Sequence, residues 1–203
     1  MFGGAFDPPH CAHLALAEAA LEQLELDALL ILPTGHAWYK SRVLTPAAHR
    51  LAMCRLAFEG LPRVCIDERE IRRPGPSYTA DTLQELAAEH PGAQLFLVLG
   101  ADQLLAFQGW QRWQEVLRHA TLAVANRALH IGPDADPEQR LETDLSGVDL
   151  PFVRLEMPLR NVSASAVRAH LVGQSQRWAA LDLLVPAAVA RYISDQHLYL
   201  QAE

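Results

Sequence analysis

The chain has 203 residues, half of them apolar and a fifth charged, which is the size and mix of one globular domain with a sizeable core. Its 17 Lys and Arg against 24 Asp and Glu give a formal charge of −7, which excludes a broad phosphate-tracking surface for nucleic acid; an anionic ligand has to be held locally. No apolar run approaches the roughly 18–20 residues of a bilayer span, and Met1-Phe2-Gly3-Gly4 lacks the basic flank of a signal peptide, so no membrane partner and a cytoplasmic location are expected.

A first strand ends at Phe2, either as a stub or as the tail of a strand begun upstream. Leu14, Ala17, Leu21 and Leu24 then recur at helical spacing. A strand is predicted over 28–32, followed by a helix capped by Thr45, opened by Pro46 and stopped by Gly60. Next come a strand over 63–69, a helix over 79–90 ended by Pro91-Gly92, and a strand over 94–99. Shorter helices over 103–107 and 111–119 precede a strand over 121–125. Residues 129–148 are polar and rich in Pro and Asp, and read as a surface excursion. A strand over 151–155 and helices over 165–172 and 186–196 complete the chain. This alternation predicts an α/β fold, a Rossmann-like doubly wound parallel sheet, with 1–203 as a single domain. Cys11, Cys54 and Cys65 show no Cys-x-x-Cys spacing; Cys54 and Cys65 read as small core residues.

Two segments carry chemistry. Gly3-Gly4-Ala5-Phe6-Asp7-Pro8-Pro9-His10-Cys11-Ala12-His13 follows an apolar stub and precedes an amphipathic helix. Paired glycines permit a sharp turn and close approach of a bulky ligand, and the helix that follows turns its first N–H groups and positive dipole end toward an anion. His10 and His13 project from one face of that first turn. Far downstream, Val162-Ser163-Ala164-Ser165-Ala166-Val167-Arg168 also opens a helix, with two hydroxyls and a guanidinium suited to capping or to phosphate. Each segment also has a plain reading, as a tight turn with solvated histidines and as an ordinary Ser-capped helix. In a doubly wound sheet, however, both helix starts gather on one edge and can face one ligand. His-x-x-His offers two metal ligands without a third, so no protein-bound metal is predicted, and neither Gly-x-Gly-x-x-Gly nor a lysine-bearing phosphate loop occurs.

Together these segments resemble the paired signature of the HIGH-superfamily nucleotidyltransferases. Between them, Gly75-Pro76-Ser77-Tyr78-Thr79-Ala80-Asp81-Thr82-Leu83, then Gly100-Ala101-Asp102 and Trp110-Gln111-Arg112-Trp113, resemble the interior motifs of its bacterial nicotinate-nucleotide adenylyltransferase branch. The resemblance runs from Phe2 to Leu198-Tyr199. It implies transfer of the adenylyl group of ATP to nicotinate mononucleotide, with Mg²⁺ bound through the substrate phosphates. By the same resemblance His10, His13 and Lys40 are catalytic, and Gly3, Gly4, Phe6, Ser163, Ser165 and Arg168 join the histidines in binding ATP. Tyr78 and Thr79 would meet the nicotinate carboxylate through backbone groups, Trp110 would stack on the pyridine ring, and Asp102 would lie near a ribose. The chain departs from the family pattern at Ala5, where Thr or Ser is common, and at Ala12, where glycine is usual. It also has Ala37-Trp38-Tyr39-Lys40 for Pro-Pro-His-Lys, and Gln111 for a frequent aromatic. Two alternatives stay open on sequence: an adenylyltransferase for nicotinamide mononucleotide, and a nucleotide-binding regulatory module without turnover.

Overall fold

The computed structural model describes residues 1–35, 43–126, 143–158, 162–172, 181 and 183–200. Strands β1 (Phe2–Gly4), β2 (Leu29–Pro33) and β3 (Val64–Ile66) pair in parallel, with Phe2 opposite Ile31 and Leu29 opposite Val64. A second parallel set joins β4 (Phe96–Gly100), β5 (Thr121–Ala125) and β6 (Phe152–Leu155). Met1 stitches the two together: its nitrogen donates to the Phe96 carbonyl at 2.5 Å, and its carbonyl accepts from Val98 N at 2.9 Å. The resulting order, β3-β2-β1-β4-β5-β6, is that of a doubly wound sheet whose direction of winding reverses between β1 and β4.

Parallel neighbours require crossovers, and helices cover both faces. Side-chain alternation shows this directly. Leu97, Leu99, Leu122 and Val124 enter one apolar cluster with Leu83, Leu104, Phe107 and Val116, while Val98, Ala123 and Ala125 enter another with Phe2, Ile31 and Leu155. Helices α1 (Cys11–Gln23) and α2 (Ala47–Phe58) cover the second face. The short α3 (Arg69–Arg72) follows β3. Helices α4 (Thr79–Glu89), α5 (Ala101–Leu105) and α6 (Trp113–His119) cover the first face. Helices α7 (Ala164–Leu171) and α8 (Ala187–Asp195) return to the α1 side, sending Val167, Val189 and Ile193 inward. Among the described residues no helix is long and apolar enough to cross a membrane.

Four sequence expectations are corrected. The strand over 63–69 stops at Ile66, because the Asp67 carboxylate accepts from Arg69 N at 2.9 Å and from its Nε at 2.8 Å, turning the chain into α3. Cys65 is exposed rather than in the core: β3 is short and at the sheet edge, and Val64 and Ile66 supply its inward side chains. Pro46, not Thr45, is the N-cap of α2, and it makes no side-chain cap bond. The first strand does not end at Phe2 but carries on through both glycines.

Candidate active site

Gly3 and Gly4 therefore lie in β1, and neither makes the sharp turn. That turn belongs to Phe6, whose φ of 46° is left-handed, and to the cis peptide between Asp7 and Pro8. Gly4 serves a different purpose: a Cβ there would stand 3.1 Å from Cζ of Phe6. The Phe6 ring is 2 % exposed and meets Phe2, His13 and Phe58 edge-on at 5.4, 5.0 and 5.9 Å between centroids. The expectation that Phe6 lines the nucleotide cleft is thus corrected for its side chain, which is core packing beneath His13.

His10 is the N-cap of α1, extended at φ −135° and ψ 171°, and His13 is the third helical residue. Their rings stack at 3.6 Å with 19° between planes. His10 N–H donates to Nδ1 of His13 at 3.1 Å. A ring nitrogen that accepts carries no proton, so this bond assigns the His13 proton to Nε2 and makes that atom a donor.

The opening turn is joined to the late serine-rich turn through Asp7, whose residue is 1 % exposed. Nη1 of Arg168 donates to the Asp7 carbonyl at 2.8 Å across 161 positions of sequence, and Nη2 donates to Oγ of Ser165 at 3.3 Å. Ser163 is the N-cap of α7, its Oγ accepting from Ala166 N at 3.1 Å. The Asp7 carboxylate takes two further donors, Thr45 N at 3.2 Å and the Tyr199 hydroxyl at 2.7 Å.

Arg50 fastens the adjoining loops. Its guanidinium, in a residue 1 % exposed, donates to the carbonyls of Thr45 (2.9 Å), Ala5 (2.9 Å) and Gly35 (3.3 Å). Gly35 is needed for the approach: a Cβ there would stand 2.0 Å from the Glu70 carbonyl oxygen. Glu70 itself is buried and accepts from Oγ1 of Thr82 at 3.0 Å, and burial pushes its carboxyl above the ordinary range.

The residues expected on the acceptor side form a second group. Tyr78 is the extended N-cap of α4 and Thr79 its first residue; the Tyr78 carbonyl accepts from Asp81 N and Thr82 N, and no side chain caps the helix. Arg112, left-handed at φ 56°, pairs with Asp81 and places its guanidinium 5.8 Å from the centroid of the Tyr78 ring. Trp110 is half-buried and rests on Phe107 with centroids 5.4 Å apart. Asp102 is exposed in the first turn of α5, directly after β4 at the point where the sheet reverses. Lys40 and Trp38 lie outside the described residues.

The structure thus joins His10, His13, Ser165 and Arg168 to one turn, with Ser163 capping the helix that carries Arg168. Asp7, Arg50 and Tyr199 were missed as site-builders by sequence reasoning. The one available signal was an arginine inside the apolar pattern of α2, a residue type rarely buried without a specific task. An open groove of about 620 Å³ runs along β3, but its Arg69 and Arg73 are paired with Asp67, Glu85 and Glu89, so it does not compete as an anion site. Among the described residues no three His, Cys, Asp or Glu side chains gather to hold a metal ion.

Fold and site define a doubly wound α/β protein with two helix starts drawn together at the switch point of the sheet. The cytidylyltransferase-like family model matches residues 1–170, and the chain belongs to that family. It is 50 % identical over 202 residues to the "Probable nicotinate-nucleotide adenylyltransferase" of Albidiferax ferrireducens, covering 100 % of this chain and 98 % of that protein. The protein of the same name from Methylibium petroleiphilum is 42 % identical over 199 residues, covering 98 % of this chain and 91 % of its own length. Among solved structures, the Plasmodium falciparum nicotinic acid mononucleotide adenylyltransferase complexed with NaAD shares the fold at a TM-score of 0.73. That likeness covers 98 % of this chain and 95 % of the other, at 17 % identity.

Proposed function

We propose that this chain transfers the adenylyl group of ATP to nicotinate mononucleotide, giving nicotinate adenine dinucleotide and pyrophosphate in NAD biosynthesis. In this reading 1–203 act as one nucleotidyltransferase domain in the cytoplasm, and the partners are small nucleotides rather than nucleic acid. The observation that carries it is the bond from Arg168 to the Asp7 carbonyl, which draws the serine-rich turn against the turn bearing His10 and His13. The full-length similarity to proteins named for this activity supports the same choice.

The acceptor's 5′-phosphate oxygen attacks the α-phosphorus of ATP in line. One P–O bond forms as the bond from the α-phosphorus to the bridging oxygen breaks, and pyrophosphate leaves with that oxygen. The phosphate nucleophile is already ionised near neutral pH, so the protein supplies positioning and charge stabilisation rather than a nucleophile or a strong base. Nε2–H of His13 is the leading donor to the departing phosphates; His10, Arg168 and the helix starts of α1 and α7 add donors fixed before reaction. Lys40 contributes charge by resemblance alone. Tyr78 and Thr79 present the start of α4 to the nicotinate carboxylate, Trp110 offers the pyridine ring an aromatic face, and Asp102 takes a ribose hydroxyl. Mg²⁺, which offsets phosphate charge when bound, would arrive with the triphosphate, since the described side chains do not form a metal-ligand set.

The test is pyrophosphate release by the purified chain with ATP, Mg²⁺ and nicotinate mononucleotide. Release is expected only with both nucleotides present, accompanied by nicotinate adenine dinucleotide, and with a higher kcat/KM than for the amide nucleotide. Absence of acceptor-dependent release, or preference for the amide, overturns this assignment.

A further inference from the structure

Tyr199 lies in the turn after α8, far in sequence from every segment so far given a chemical role. Its hydroxyl donates to Oδ1 of Asp7 at 2.7 Å, across 192 positions. The backbone around it is unusual: His197 and Tyr199 are both left-handed, at φ 51° and 63°, a conformation that crowds any residue bearing a Cβ. Such crowding persists only where surrounding contacts over-determine it, and it concentrates at working sites. Here Leu198 and Tyr199 pack against the main apolar cluster, and Leu198 N donates to the Ile193 carbonyl at 3.0 Å. The strained turn therefore holds the phenol at the Asp7 carboxylate. Burial, together with the charge of Asp7, pushes the hydroxyl's titration above the ordinary tyrosine range, so the group stays protonated and donating.

Asp7 passes this constraint on. Its carboxylate also takes Thr45 N, which leads into α2, and its carbonyl takes Arg168. Position 7 is thus bonded at the same time by the chain's last described turn, by the start of α2 and by the guanidinium assigned to ATP. A buried carboxylate that loses a hydrogen-bond donor shifts to recover one, and its own carbonyl is three bonds away.

We infer that Tyr199 is a positioning residue for the ATP site, acting through Asp7 to set the Arg168 guanidinium against the turn bearing His10 and His13. The role rests on the assignment of ATP to that turn, and it adds a residue which touches no substrate.

Three variants test it: Tyr199→Phe, Asp7→Ala and the double variant, with Val189→Ala as a packing control in the core face of α8. ATP affinity is measured calorimetrically without acceptor, turnover by pyrophosphate release, and folding by circular dichroism and melting temperature. Tyr199→Phe is expected to weaken ATP binding and lower kcat by about tenfold, the scale of a modest misplacement of a binding group. The KM for the acceptor is expected to stay within about twofold. Val189→Ala is expected to lower the melting temperature at least as much as Tyr199→Phe while ATP affinity and kcat hold. In the Asp7→Ala background, which lacks the accepting oxygen, the tyrosine substitution should add little, because the two act as a unit. A Tyr199→Phe protein with ATP affinity and kcat within twofold of the parent overturns the role. So does a Val189→Ala protein that loses as much, or a double variant whose losses multiply. A parent that binds ATP but does not turn over nicotinate mononucleotide refutes the proposed activity, and the affinity series still decides the fate of Tyr199.

Discussion

Asp7 and Arg50, which hold the opening turn, are both 1 % exposed and bonded at three points or more each. Arg112 and Asp81, which hold the mouth of α4, keep 38 % and 35 % of their side chains in solvent and rely on an ion pair. Buried hydrogen bonds in a low-dielectric setting fix geometry, whereas an exposed ion pair is worth about 0–1 kcal/mol and weakens with salt. On the proposed reading the phosphate side is therefore preorganised where charge develops, which is where rigidity matters most for rate. On the same reading the acceptor side is held by contacts that affect which molecule binds more than how fast it reacts.

That contrast is most easily broken at His13. His13→Ala removes a fixed donor and is expected to lower kcat by about 10²–10³ with the fold intact, checked by steady-state kinetics and circular dichroism. Near-normal turnover would mean that the rigid side is scaffold only. Trp110→Ala tests the other side. Its ring supplies stacking area, so the acceptor KM is expected to rise about tenfold while the KM for ATP and kcat change little. Equal damage to both substrates would erase the division between the two halves.

The smallest expected effect sharpens the comparison from beneath the acceptor wall. Burial raises the folded-state titration of Glu70, so the folded chain holds a proton that the unfolded chain releases at lower pH. Stability drawn from Glu70 is full below the unfolded value of about 4.3 and is lost as pH rises through the folded one. Glu70→Gln keeps an oxygen for Thr82 and removes that loss. Its melting temperature should match the parent near pH 4 and exceed it by about 2–4 °C at pH 8. A difference that does not change with pH would show that the Glu70 carboxyl titrates alike in the folded and unfolded chain.

The sequence made the regular parts legible where a period was sustained. The run over 121–125 is β5 without correction, and the helical spacing from Leu14 to Leu24 is α1. Met1 and Phe2 had pointed to a strand at the start, and β1 is there. The tip of β3 and the four residues of α3 were not legible, because Asp67-Glu68-Arg69 shows no apolar period and its turn is made by one carboxylate. The two phosphate-type turns were visible as motifs, and their convergence followed from doubly wound topology. What joins them was not visible. Asp7 to Arg168, Asp7 to Tyr199 and Arg50 to Ala5 are contacts over 45 to 192 positions, made by polar groups that no local pattern distinguishes. Phe6 misled for a related reason: a motif places a residue at a site without saying which way its side chain goes.

The interlock between Gly4 and Phe6 has an evolutionary consequence. A methyl group at position 4 presses on the ring at position 6, which has to give by a few tenths of an ångström, and loss of that ring empties the space under His13. A smaller residue at 6 makes room for alanine at 4. The two positions are thus coupled: what one tolerates depends on which residue stands at the other.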